Sequence, residues 1–255
     1  MQINNDNKNL KVLTSCVALA LSIGLGSYTF AQDNEDKKRF THFTSGTGFF
    51  VNQHNIITND HVVQNCKYIK VRGAIEPDYA TIVLRDKAND LALLQTSSSS
   101  KRVAMLRGEG LPVKVGESVT VMGYPLEHGI KGDYIIKKGK ITDTEDIYQG
   151  IKRLQFTDSV EKGNSGGPLL DENGSVIGVV VGKMSFYLAD SDMTGENSKP
   201  VKTSSMAISL DSLREFLDSN RIVHRSSGIR NTMADKWMER KAKEYIVNVH
   251  CIKDE

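Results

Sequence analysis

From Phe40 onward the chain is a succession of short apolar runs, each bounded by Gly, Asn, Asp or Ser. Gly48-Phe49-Phe50-Val51 is one, and Asn55-Ile56-Ile57-Thr58 follows an Asn52-Gln53-His54 turn. Tyr68-Ile69-Lys70-Val71-Arg72 alternates with period two, as a half-buried strand does, whereas Leu91-Ala92-Leu93-Leu94 is continuously apolar. Further runs lie at 119–123, 134–141, 153–157, 169–170 and 176–181. About a dozen short strands separated by turn signals predict an all-β barrel or sandwich. No run is repeated at a fixed short period, and the tract Ser97-Ser98-Ser99-Ser100 predicts a flexible connection between two halves.

Helical spacing occurs twice. In 209–217, Leu210, Leu213, Phe216 and Leu217 fall on one face and Ser209 can cap it. In the tail, Thr232-Met233-Ala234-Asp235 predicts a capping box, with Trp237, Met238, Ala242 and Tyr245 as an apolar stripe beyond it. Residues 219–255 are therefore expected to form a helical C-terminal extension, with 247–252 ambiguous between helix and strand. A net charge of +2 in 255 residues gives no footprint for nucleic acid or an anionic membrane.

The N-terminus differs in kind. A polar segment with Lys8 and Lys11 precedes an apolar stretch over 12–26, which ends in Thr29-Phe30-Ala31 before a charged run. This predicts a signal peptide over 1–31, cleaved after Ala31, then a polar linker over 32–39. The alternative is an uncleaved anchor. Export implies a periplasmic or secreted protein without stable membrane association after cleavage. It also leaves Cys66 and Cys251, which could pair or remain buried thiols.

The stretch Lys162-Gly163-Asn164-Ser165-Gly166-Gly167-Pro168-Leu169 sets one serine among three glycines. Glycine allows backbone to approach a ligand closely, and such a turn can present a hydroxyl beside backbone N–H groups. As a bare turn it would need no partners. As a nucleophile Ser165 needs a base and a group to orient that base. His61, at the end of an apolar strand, can exchange the serine proton; Asp90, just before a buried strand, can hold the other ring nitrogen.

Together these segments resemble the chymotrypsin-like serine proteases of the bacterial HtrA/Deg branch. The matching stretches are Ser45-Gly46-Thr47-Gly48-Phe49-Phe50-Val51, Ile57-Thr58-Asn59-Asp60-His61-Val62-Val63, Asn89-Asp90-Leu91-Ala92-Leu93-Leu94, Met122-Gly123-Tyr124-Pro125, Thr157-Asp158 through Leu169, and Met206-Ala207-Ile208-Ser209-Leu210-Asp211. The order is His, Asp, Ser, over about residues 40–218. The resemblance implies two six-stranded antiparallel β-barrels with the site in the cleft between them. It implies Ser165 as nucleophile, His61 as general base and acid, Asp90 as orienting carboxylate, and an oxyanion hole from Gly163 and Ser165 with Asn164 between them. Ser159, Val181 and Gly182 would line a pocket for a small or aliphatic residue. No metal, nucleotide or organic cofactor is implied.

The chain departs from that pattern in three ways. It has no Ile-Val-Gly-Gly-like start after a basic residue, no room for a PDZ domain, and a short segment from Asp158 to Lys162. The expected function is an exported serine endopeptidase acting on unfolded or extended polypeptides through an acyl-enzyme. The alternatives are a protease for one folded target and a non-catalytic peptide-binding pseudoprotease. A homo-oligomer through residues 33–43 is compatible with the resemblance. The tail would pack on the second barrel or make a subunit contact through Trp237 and Tyr245.

Overall fold

Strand β1 (Phe43–Phe50) carries glycines at the positions where its neighbours come closest. A methyl group on Gly48 would sit 2.6 Å from the Ile56 side chain and 3.2 Å from that of Val249. β2 (Asn55–Thr58), β3 (Tyr68–Gly73), β4 (Asp78–Asp86) and β5 (Leu91–Thr96) follow as an antiparallel series. β5, the continuous apolar run, is buried on both faces, while β4 alternates exposed and covered residues. The computed structural model describes residues 43–125, 133–148, 151–157, 160–186, 202–228 and 231–253. The expected signal peptide and linker lie outside them, as does Ser159.

β6 (Met105–Arg107), β7 (Ser118–Gly123), β8 (Ile135–Tyr148), β9 (Ile151–Phe156), β10 (Pro168–Asp171), β11 (Val176–Phe186) and β12 (Lys202–Ser209) build the second half. Six of them run in the order β10, β7, β8, β9, β12, β11, and pairing of β10 with β11 closes a second antiparallel barrel. Inside it Val119, Val121, Ile141, Leu154, Phe156, Leu169 and Val180 form their own core. Helix α1 (Leu210–Ser219) follows at once. Ser209 Oγ accepts from the N–H of Ser212, and Leu210, Leu213, Phe216 and Leu217 are buried, as the periodicity predicts.

The expected C-terminal helical extension over 219–255 is helical only in part, and 247–252 resolve as strand. Residues 219–255 form β13 (Arg225–Ser227), α2 (Asp235–Ala242) and β14 (Ile246–Ile252). β13 adds to β6 in parallel. β14 inserts between β1 and β3, and with it the first barrel closes in the order β1, β14, β3, β4, β5, β2. Val247, Val249 and Cys251 of β14 are fully buried. Cys251 forms a disulfide with Cys66, which settles the open question about these two residues. Meanwhile α2 reaches the second barrel, where Asp235 pairs with Lys138 and Glu239 accepts from the Tyr134 hydroxyl at 2.7 Å. The tail thus completes one barrel and straps onto the other. Tyr245 is buried in this packing, so the expected subunit contact through it does not hold; Trp237 lies exposed under the Arg240 guanidinium.

The predicted capping box does not form. Ala234 caps α2 without a side-chain bond, and the Asp235 carboxylate that would close the box pairs with Lys138 instead. Nor is the serine tract loose. Ser97 Oγ and the N–H of Ser98 both donate to Asp78, and Ser100 donates its N–H to Gln53 and its hydroxyl to Arg102 and Glu244. Among the described residues no helix is long and apolar enough to cross a membrane, and no cluster of acidic, His or Cys side chains is placed to hold a metal ion.

Candidate active site

The antiparallel pairing of β2 with β5 sets Thr58 opposite Ala92, so the turn after β2 and the turn before β5 meet. The first turn is Asn59-Asp60-His61, good turn chemistry, closed by the Val63 N–H on the Asp60 carbonyl. The second ends in Asp90, whose φ of 59° is the left-handed conformation that Asp tolerates better than most residues. That backbone aims the Asp90 carboxylate at His61. Nδ1 of the ring lies 2.8 Å from Oδ2 and 3.1 Å from Oδ1, and the His61 N–H donates to Oδ1 at 2.9 Å. The Asp90 carbonyl in turn accepts from Asn59 Nδ2 and from the Asp60 N–H. The His61 side chain is 45% exposed, and Nδ1 is the ring nitrogen that Asp90 engages.

Ser165 sits in a turn fixed from both barrels. Gly163 and Gly166 take φ of 102° and 85°, conformations open to glycine at little cost. Any side chain at Gly166 would strike the Thr47 carbonyl and the Thr58 hydroxyl at 2.2 and 2.3 Å. Gly46 shows the same crowding, since a methyl there would lie 2.6 Å from Val62 and 3.0 Å from the Ser165 carbonyl. Gly46 thus lies between Ser165 and Val62, the residue after His61, and Gly166 comes close to Asn59 of the His61 turn. The Ser165 hydroxyl donates to the Val181 carbonyl at 2.8 Å. Among the described residues it makes no hydrogen bond to His61.

The loop's remaining backbone bonds separate its N–H groups. Asn164 donates to Glu161, Gly166 to Val180 and Gly167 to Asn164. Among the described residues the N–H groups of Gly163 and Ser165 have no backbone acceptor, while that of Asn164 is spent. The Asn164 side chain is fully buried, and neither its Oδ1 nor its Nδ2 has a partner. Val181 and Gly182 lie at an irregularity in the pairing of β11 with β12, beside Ser165. A cavity of about 570 Å³ lined by Lys101, Met105, Arg225, Met233 and Lys241 contains none of these residues.

Sequence reasoning missed three contributors. Thr47, fully buried, donates its N–H to the Ser165 carbonyl (2.8 Å) and its hydroxyl to the Gly163 carbonyl (2.7 Å), and accepts from the Tyr124 N–H. Its placement between two glycines in β1 was the available signal. Arg85 on β4 pairs through two nitrogens with Asp60, the residue before His61. Arg153 on β9 is 5% exposed with Nη1 unpartnered; burial holds its pKa below the usual arginine range, against the pull of Asp90.

Comparison with known proteins shows the family. Residues 46–179, just over half of the chain, match the trypsin-like peptidase domain. The chain is 35% identical over 211 residues to the uncharacterized protein y4bJ of Sinorhizobium fredii, covering 82% of this chain and 32% of that one. It is 32% identical over 170 residues to Serine protease Rv3671c of Mycobacterium tuberculosis, covering 60% of this chain and 41% of that protein. To the "Probable periplasmic serine endoprotease DegP-like" of Pseudomonas putida it is 33% identical over 138 residues, 52% of this chain and 28% of the relative. The chain thus spans well under half the length of these relatives. Among solved structures, a serine endoprotease from Yersinia pestis superposes with a TM-score of 0.54 at 25% identity over 70% of this chain and 58% of that one. The active form of Rv3671c gives 0.53 at 25% identity over 72% of this chain and 76% of that one. On the matched domain, the two barrels and these likenesses, the chain belongs to the trypsin-like peptidase family.

Proposed function

We propose that the protein is an exported serine endopeptidase that cleaves unfolded or extended polypeptides. The observation that carries this reading is the bidentate approach of the Asp90 carboxylate to His61 Nδ1, on a turn packed against the loop of Ser165. With Nδ1 held by the carboxylate, Nε2 is the basic nitrogen, able to take the Ser165 proton as Oγ attacks a peptide carbonyl. The proton passes next to the leaving amine, and water, activated by the same nitrogen, releases the acyl group from Ser165. The developing oxyanion would be met by the N–H groups of Gly163 and Ser165, which the loop leaves unspent.

An extended substrate would lie along β11 at Val181 and Gly182, adding a strand by backbone pairing. Val181 and Gly182 bring no charge, which favours a small or aliphatic residue before the scissile bond. Export rests on residues 1–31 and on the periplasmic naming of the Pseudomonas putida relative. The test is hydrolysis of casein and of valine- and arginine-terminated chromogenic peptides by the parent and by His61→Ala. The parent should digest casein, prefer the valine peptide and spare folded proteins. His61→Ala should lose at least about 10³-fold in kcat while its circular dichroism is unchanged. Activity persisting in His61→Ala contradicts the base assignment.

A further inference from the structure

The residue before His61 is an aspartate, and its charge is not left to act on the imidazole. Asp60 is 6% exposed. Arg85 Nε donates to Asp60 Oδ1, and Nη2 to Oδ2 at 3.0 Å, the two-pronged geometry that a guanidinium offers a carboxylate. Arg85 comes from β4, opposite Ala92 of β5, and so stands next to the turn that ends in Asp90. The same turn carries the Asp60 N–H to the Asp90 carbonyl. Nothing in the backbone demands this pair: a small neutral residue at 60 could make the same N–H bond.

We propose that Arg85 is a positioning residue that balances the Asp60 charge, so that His61 answers to Asp90 alone. The inference rests on the reading of His61 as base. Two carboxylates near one imidazole, that of Asp90 on Nδ1 and that of Asp60 on the adjacent residue, would stabilise the imidazolium and delay its release of the proton as pH rises. With Arg85 on Asp60, one negative charge of the two is cancelled. Among the described residues the other charged groups around the turn include Arg153 from β9, which acts on Asp90, and Asp86, whose carboxylate is taken up by the backbone N–H and side chain of Asn89. Lys87 lies in the turn itself, and Glu215 of α1 lines the same cavity as Arg85. None of these is removed by changing residue 85 or 60.

The test is the pH profile of kcat/KM on one chromogenic peptide for the parent, Arg85→Gln, Asp60→Asn, the double variant and Arg85→Lys. In Arg85→Gln the acid limb should move up by about half to one pH unit, because an unbalanced Asp60 favours the imidazolium. In Asp60→Asn it should move down by a similar amount, since the unpaired Arg85 disfavours it. The double variant and Arg85→Lys should return to the parental midpoint. A pair that only braces the turn would lower the rate in the single variants without moving the midpoint, and that result overturns the proposal. Should Arg85→Gln fail to fold, the near-isosteric Asp60→Asn carries the same test. Hydrolysis that survives His61→Ala sinks the base reading itself. Hydrolysis lost in His61→Ala, with unmoved midpoints at 85 and 60, sinks the charge-balance proposal alone.

Discussion

The N–H of Thr47 donates to the carbonyl of Ser165 over 2.8 Å, and the Thr47 hydroxyl holds the carbonyl two residues earlier. A buried strand of the first barrel thereby grips the loop carried by the second. Thr47→Val keeps the shape and the strand preference but strips the hydroxyl. The Gly163 carbonyl and the Tyr124 N–H then lose their partner, at about 1–3 kcal/mol for each buried group. We expect chemical denaturation to report a loss of about 2–5 kcal/mol. We also expect kcat to fall by up to about 10²-fold with KM little changed, as a displaced loop requires. Unchanged stability and rate would mean that the loop does not depend on this residue.

The strap makes a prediction about folding. β14 lies between two strands whose positions in the chain precede it by about 180 to 200 residues, and it contributes Ile246, Val247, Val249 and Cys251 to the core. Fully burying one such aliphatic side chain is worth about 1.5–3 kcal/mol, so removing residues 246–255 costs more than a domain's typical net stability once the open barrel edges are counted. The shortened chain should be recovered as insoluble or protease-sensitive material. A chain ending after Lys253 should fold. A soluble, cooperatively unfolding protein without β14 would contradict the topology.

The Cys66–Cys251 disulfide ties that strand to the segment just after His61, across 185 residues of sequence. Cross-links that close loops this long restrict the unfolded chain most, and loss of a native one costs about 2–5 kcal/mol. Cys66→Ala/Cys251→Ala should lower the urea midpoint accordingly, with a steeper transition because the released unfolded chain exposes more surface. Equal midpoints for the variant and the oxidised parent would show that the bond adds nothing.

Acid should weaken the fold through His250 on β14. Burial, with Arg72 and Lys70 nearby, lowers its pKa from 6.5 to about 4, and its Nε2 has no partner. The folded state therefore resists protonation that the unfolded chain accepts. Stability is complete above pH 6.5 and is lost as pH falls from 6.5 towards 4, by at most about 3 kcal/mol. Urea unfolding of the parent and of His250→Leu at pH 7 and at pH 4.5 checks this. The variant should gain on the parent at the lower pH, and a constant difference between them would exclude the mechanism.

The parts of this molecule that were legible in the sequence are those set by local chemistry. The period of β3, the apolar run of β5, the Ser209 cap of α1, and the His61, Asp90 and Ser165 segments all depend on neighbouring residues. The parts that were not legible depend on distant ones. Val247-Asn248-Val249 carries a strand pattern, but only β1 and β3 decide that it is a strand, and the pairing of Cys66 with Cys251 follows from that placement. Thr232 and Asp235 read as a capping box until Lys138, from the second barrel, takes the Asp235 carboxylate. The four serines look loose until Asp78 and Gln53 engage them. Thr47 and Arg85 are ordinary strand residues, and their importance comes from loops that the fold brings beside them.

Ser165, as the proposed nucleophile activated by His61 and Asp90, should react with an electrophilic phosphonate. The most direct measurement is covalent labelling of the purified protein by a fluorophosphonate probe, with the modified residue located by peptide mass analysis. Labelling should be stoichiometric on Ser165, absent in Ser165→Ala, and slowed by orders of magnitude in His61→Ala. A folded parent that stays unlabelled, or one labelled equally fast without His61, would contradict this assignment.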